Sequence, residues 1–171
     1  GELPAVGVTM QLFRAGDDPA TATPVATTTT DASGRYIFDQ LVPGQYFVHL
    51  PAANFGAGGV LLGYVSSTGA GADETSDQLV DENGQDALVA GGVSSNVFDL
   101  QPNSEVTTDD DTGYTGTLDD DNVNLTADFG FNRERVAIGN FVWFDDNNDG
   151  NFDTGELPAV GVTMQLFRAG D

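Results

Sequence analysis

The sequence predicts an all-β protein, an antiparallel β-sandwich of about seven or eight short strands. Three observations predict it. Apolar residues recur with period two, the spacing of a strand that buries one face. Turns carrying Gly, Pro, Asn and Asp cut the apolar stretches into short lengths, and no stretch has the 3.6-residue stripe of an amphipathic helix.

Taken in chain order, the segment 27–50, "TTTTDASGRYIFDQLVPGQYFVHL", reads as strand, Asp-Ala-Ser-Gly turn, strand, Pro-Gly turn, strand. Gly34 and the pair Pro43–Gly44 place the turns, and Ile37, Phe38, Tyr46, Phe47, Val48 and Leu50 are the expected core contributors. A Gly/Ala/Ser-rich stretch containing "VLLGYVSS" follows, then an acidic stretch, then "VSSNVFDLQP" as another short strand. Val123, Leu125, Ala127, Phe129 and Phe131 alternate with Asn124, Thr126, Asp128 and Gly130, the pattern of a last strand with one buried face. Beyond the polar "NRER", "AIGNFVWF" and then "VGVTMQLF" (residues 160–167) have strand character, the second with Val160, Val162, Met164 and Leu166 on one face. Asp31 fits the role of a turn former better than that of a ligand.

Residues 1–17, "GELPAVGVTMQLFRAGD", return unchanged as residues 155–171, a period of 154 residues (155 minus 1). Identity over that length marks tandem modules. The expected organisation is most of one sandwich module in residues 1–131, a linker at 132–135, and the first strand, acidic loop and second strand of the next module in 136–171. On this reading the chain is a slice of a longer protein, cut out of phase with its modules. Residues 136–144 then either stand as an unfinished module or complete the sheet of another copy, head to tail.

Composition narrows the function. The 171 residues carry a formal net charge of −22, from 27 Asp and Glu against five arginines, with no lysine. Such a chain repels nucleic acid and anionic membrane surfaces, and no apolar run is long enough to cross a bilayer. Between Asp73 and Asp121 there are fourteen carboxylates and no Lys or Arg, so salt bridges within that segment cannot neutralise them. Divalent cations or a hydrated surface must do so. Cysteine is absent, which excludes disulfides, and without lysine no lysine–asparagine isopeptide bond can form.

The segment 145–156, "DDNNDGNFDTGE", supplies the cation site. A calcium loop needs oxygens at alternate positions and a closing carboxylate at the twelfth. Asp145, Asn147, Asp149, Asp153 and Glu156 hold the first, third, fifth, ninth and twelfth places; Gly150 holds the sixth, where the chain turns sharply, and Asn151 the seventh, where a main-chain carbonyl is used. Phe152 is an apolar anchor between them. Strand-like flanks and Pro158 argue against the two helices of an EF-hand. Glu2 would be the closing carboxylate of the preceding copy's loop.

Two further calcium sites are expected on weaker grounds. In residues 73–86, Asp77, Asp81 and Asn83 are spaced as ligands before Gly84, with Asp73 and Asp86 able to complete the set. An ordinary Asp-Glu-Asn-Gly turn accounts for the same residues. The triplets Asp109 to Asp111 and Asp119 to Asp121 bracket "TGYTGTL", an expected hairpin that would bring the two runs together, with Asp109, Asp111, Asp119 and Asp121 as candidate ligands.

These segments together resemble the SdrD B-like repeat domain of bacterial surface proteins, a relative of collagen-adhesin B-type and prealbumin-like sandwiches. The resemblance is carried by "IGNFVWFDDNNDGNFDTGELPAVGVTMQLF", the "TTDASGRYIFDQLVPGQY" hairpins and the closing "LTADFGF". It implies an Ig-like or prealbumin-like sandwich, stabilised by calcium at more than one site per module. It also implies use in tandem, as a stalk or spacer outside the cell, and it implies no catalysis.

The residues agree on that last point. Carboxylate pairs could serve a glycosidase, yet they lie in Gly- and Asn-rich turns. The single histidine, His49, sits in a strand pattern, and no serine occupies a Gly-x-Ser-x-Gly elbow. Two non-enzymatic readings remain. The favoured one is a calcium-stabilised structural repeat of a large extracellular protein, acting as rigid stalk or fibre-forming module whose partners are neighbouring copies. The alternative is an adhesive module that recognises a host or matrix protein or glycan.

Overall fold

The computed structural model describes residues 3–67, 84–85, 91–105, 107, 114, 116–133 and 135–167. The chain divides into two units, residues 1–134 and 135–171. Each is described by itself.

In the first unit the strands are β1 (Thr9–Arg14), β2 (Ala26–Thr29), β3 (Gly44–Leu50), β4 (Val65–Ser66), β5 (Gly84–Gln85), β6 (Val93–Ser95), β7 (Phe98–Leu100) and β8 (Phe131–Asn132). One sheet runs in the order β2-β1-β3-β6-β5, with β7 also paired to β3, and β4 pairs separately with β8. Every ladder is antiparallel. Aromatic and β-branched residues fill β3, as a doubly flanked strand requires.

Alternation directs the side chains. Met10 and Leu12 of β1 and Tyr46, Val48 and Leu50 of β3 share one face, where they bury with Val8, Phe55, Leu61 and Val93 into the core. The other face of the same strands is buried too. There Phe13 stacks on Phe47 at 5.6 Å and meets His49 edge-on at 5.9 Å. Of the expected core contributors, Tyr46, Phe47, Val48 and Leu50 are buried and Phe38 packs against the core, whereas Ile37 is exposed.

The stretch read as a single strand, "VSSNVFDLQP", is two strands in register with the same edge of β3. Tyr46 pairs with Phe98, while His49 pairs with Ser94, so two residues of β3 face three of the partner. That is a β-bulge at Ser95–Val97. The Ser95 hydroxyl accepts a hydrogen bond from Val48 N at 2.9 Å and donates to the Asn96 carbonyl at 2.7 Å.

Buried polar side chains also fix the entry to β1. Asn54, in a short 3-10 turn (Ala52–Asn54), takes the Thr9 N–H on its Oδ1 at 2.9 Å and donates Nδ2 to the Thr9 carbonyl at 2.8 Å. Thr30 Oγ1 accepts from Val8 N at 2.9 Å and donates to the Ala5 carbonyl at 2.6 Å. The Asp31–Gly34 turn closes against Pro4: Gly34 has φ +79°, and a Cβ there would lie 2.9 Å from Pro4 Cβ.

The core is closed by Phe55, Tyr64, Phe129 and Phe131, with Phe55 edge-on to Phe131 at 5.7 Å. Arg133 lies over the Tyr64 ring at 4.3 Å, at the end of β8. Two expected strands are corrected here. Residues 35–39 form no strand; Tyr36 instead anchors that segment by donating its hydroxyl to the Ala127 carbonyl at 2.6 Å. In 123–131 only Phe131 belongs to a strand, and Thr126, expected to face outward, is buried because its Oγ1 donates to Asn124 Oδ1 at 2.8 Å.

The second unit contains β9 (Trp143–Phe144) and β10 (Leu157–Pro158), paired antiparallel as Leu157 with Phe144 and Pro158 with Trp143. Phe141, Trp143 and Phe152 form an aromatic cluster, with Phe152 edge-on to both Phe141 (4.8 Å) and Trp143 (6.2 Å). Sequence patterning marks Trp143 and most phenylalanines as core. Within this unit Trp143 is half-buried, while Phe141, Phe144, Phe152 and Phe167 are exposed.

Candidate metal centre

The Asp145–Glu156 loop closes the β9–β10 hairpin, so its two ends are held one strand apart. Its shape is set by residues that accept a left-handed backbone: Asn148 at φ +58°, Gly150 at +81° and Gly155 at +107°. Asn tolerates that region because its short side chain can bond locally.

Within this frame the oxygens turn inward onto the loop's own amides. Asp145 accepts from Asp149 N (3.2 Å) and Gly150 N (2.8 Å), and Asn147 Oδ1 accepts from Asp149 N (3.1 Å). Asp149 Oδ1 accepts from Asn151 N at 2.8 Å. Glu156 reaches back to close the loop, taking Asp146 N on Oε1 (3.1 Å) and Asp153 N on Oε2 (2.9 Å). The Asn147 amide Nδ2 lies 3.1 Å from both Asp149 Oδ2 and Asp153 Oδ2, so a partial positive charge stands between two carboxylates.

Electrostatics follow from these bonds. The Asn151 main-chain N–H holds the Asp149 carboxyl below the usual carboxylate range; desolvation opposes it, and the Asn147 and Asn151 side chains and Asp153 add to the lowering. Asp31, away from the loop, is lowered by the N–H groups of Arg35 and Ser33, which its Oδ1 accepts at 3.0 and 2.8 Å. It caps its own turn.

Among the described residues no three carboxylates converge on one point. The donor set nevertheless fits a hard cation: five carboxylate or amide side chains on one short loop, and a donor amide in the place where positive charge is best accommodated. Asp145, Asn147, Asp149, Asp153 and Glu156 would hold calcium through side-chain oxygens, with Asn151 contributing its carbonyl. Phe152, between two of these positions, ties the loop to Trp143.

The other candidates fall differently. Glu2, Asp73, Asp77, Asp81, Asn83, Asp86, Asp109 and Asp111 lie outside the described residues, as does most of the "TGYTGTL" hairpin. Asp119 precedes the short 3-10 turn Asp120–Asn122, and Asp121 lies within it. There the Asp119 carbonyl accepts from Asn122 N, the Asp121 carbonyl accepts from Glu105 N at 3.0 Å, and Asp121 Oδ1 takes the Asn122 side-chain amide at 2.6 Å. His49 is buried in β3, its Nδ1 2.8 Å from Ser94 Oγ.

Pattern reading missed the polar side chains that hold the sheet, Thr30, Asn54 and Ser95. Their only advance sign is a hydrogen-bonding residue beside an apolar run, which surface residues share.

Fold and loop together define an all-β domain whose seventeen-residue opening segment recurs within the chain and whose longest acidic turn has the donor spacing of a cation loop. Comparison with known proteins makes the class specific. The chain belongs to the SdrD B-like domain family, which matches residues 1–100. It is 32% identical over 170 residues to Colossin-A of Dictyostelium discoideum, covering 99% of this chain and 1% of that protein. It is 32% identical over 143 residues to serine-aspartate repeat-containing protein F of Staphylococcus epidermidis, covering 83% and 6%. To serine-aspartate repeat-containing protein E of Staphylococcus aureus it is 29% identical, covering 83% and 9%. The chain thus spans less than a tenth of each of these relatives. No solved structure matches it.

Proposed function

We propose that the chain is a calcium-stabilised structural repeat of a large extracellular or cell-surface protein, a rigid link in a stalk or fibre. The observation that carries this is the Asp145–Glu156 loop: ligand-type side chains at every required position, closing a hairpin whose second strand opens the repeated segment. A cation there would fix β10 relative to β9 and so stiffen the start of the module to which both strands belong. The family and the serine-aspartate repeat relatives support a structural repeat at a cell surface. In this role neighbouring modules complete each other's sheets. The test is thermal unfolding of the full chain in calcium and in EGTA. A calcium-dependent rise in melting temperature is expected; equal melting in both would remove calcium from the function.

A further inference from the structure

We propose that the Asp149–Gly150 peptide bond is a site of spontaneous isomerisation, and that the hydrogen bonds of the closed loop hold it in check. The effect expected of calcium rests on reading Asp145–Glu156 as a cation loop; the site and its guard rest on the loop's own bonds.

Asp-Gly occurs once in the chain, at the fifth and sixth places of the loop. An aspartyl carboxyl is open to attack by the main-chain nitrogen that follows it, and a side chain on the following residue crowds the five-membered ring that results. Glycine removes that obstacle. The loop cannot do without it, because the turn holds residue 150 at φ +81°. The residue that shapes the loop is thus the one that leaves the bond vulnerable.

In the reaction Gly150 N forms a bond to Asp149 Cγ. One Cγ–O bond breaks, and that oxygen leaves as water with the amide proton and a proton from solvent. Water then opens the ring. Addition at Cγ restores aspartate, whereas addition at the Asp149 main-chain carbonyl breaks its bond to Gly150 N and leaves the chain running through Cβ and Cγ. That product has one more atom in its backbone and a carboxylate attached directly to Cα. The fifth ligand position is displaced, so a loop carrying it should hold calcium less well.

The closed loop occupies both reacting groups. The Gly150 N–H is donated to Asp145 Oδ2 at 2.8 Å. Asp149 Oδ1 takes the Asn151 N–H at 2.8 Å, and Asp149 Oδ2 takes the Asn147 side-chain amide at 3.1 Å. A ring closes only when its two atoms meet in the right orientation, so bonds that fix each of them elsewhere slow the step. All these partners lie within the loop itself. Opening of the loop releases them together.

The test is to hold the full chain in EGTA at neutral pH, warmed below its melting temperature, and to read the β-linked product at residue 149 by electron-transfer fragmentation of the loop peptide. Asp145→Ala frees the Gly150 N–H and should raise the rate several-fold. Asp145→Asn keeps an oxygen for that N–H and should stay near the parent. In urea strong enough to unfold the chain, all three should converge on one faster rate. No product at 149 in urea overturns the site. An unchanged rate in Asp145→Ala overturns the guard, and a slower one would make Asp145 a base that promotes the attack, which overturns it equally. Calcium should slow the parent further. If calcium neither slows the reaction nor raises the melting temperature, the cation reading falls, while a several-fold difference between parent and Asp145→Ala keeps the guard standing.

Discussion

The Ser95 hydroxyl replaces a main-chain carbonyl for Val48, accepting its N–H at 2.9 Å where the bulge at Ser95–Val97 interrupts the ladder beside β3. Both residues are buried, so no water can substitute. Ser95→Ala should therefore leave a buried donor unsatisfied and cost about 1–3 kcal/mol. Urea unfolding of the full chain measures it; a loss below about 0.5 kcal/mol would mean that the ladder re-registers to remove the bulge.

Asp149→Ala and Glu156→Ala should each remove most of the calcium-dependent gain in melting temperature. With calcium about a hundredfold above the dissociation constant, that gain corresponds to about 2.7 kcal/mol per site. Asp31→Ala is the control: its carboxylate serves only its own turn, so the response to calcium should persist. Differential scanning calorimetry in calcium and EGTA distinguishes the three variants.

Trp143 is the only tryptophan, and its ring is in edge contact with Phe152 of the loop. Its emission should change in step with calcium binding, and Phe152→Ala should blunt the change without removing any ligand. A fluorescence titration that is flat in the parent chain, beside a calorimetric signal for binding, would show that the aromatic cluster does not follow the loop.

His49 gives the first unit a pH dependence. Burial lowers its pKa from the usual 6.5, so the folded state holds the ring neutral while the unfolded state takes up a proton. The stability from this group is complete above 6.5 and declines as pH falls from there towards the lowered folded value. Among the described residues its ring meets the Ser94 hydroxyl and the Phe13 ring, neither of them charged. His49→Gln should flatten the urea midpoint between pH 8 and pH 5.5; an unchanged slope would assign the acid sensitivity to the carboxylates.

Much of this was legible in the sequence where the controlling interactions are local. Gly34 and Pro43–Gly44 mark turns because backbone preference acts there directly, and the short aromatic and apolar run in "GQYFVHL" after the Pro-Gly turn marks β3 because such a run suits a strand buried on both faces. The donor spacing of Asp145–Glu156 is likewise local. What failed depends on partners far away in the chain. "TMQLF" is a strand at residues 9–13 and not at 163–167, with no difference in sequence, because only the first has β2 and β3 beside it. Residues 35–39 left the ladder for the same kind of reason, Tyr36 bonding to Ala127 far along the chain, whereas Thr126 turned inward on a local side-chain bond to Asn124 that a period-two pattern does not register.

The position of β1 in the sheet has a mechanical consequence. In a chain pulled from its ends, load reaches the first unit through residues just before β1, and the antiparallel bonds to β2 and β3 lie across the pull on both sides. They must shear together rather than peel one by one. At the opposite end, β8 pairs with β4 over only two residues and is backed by Arg133 on Tyr64. Under tension the unit should yield there first, lengthening at its trailing edge while the sheet around β1 keeps its grip.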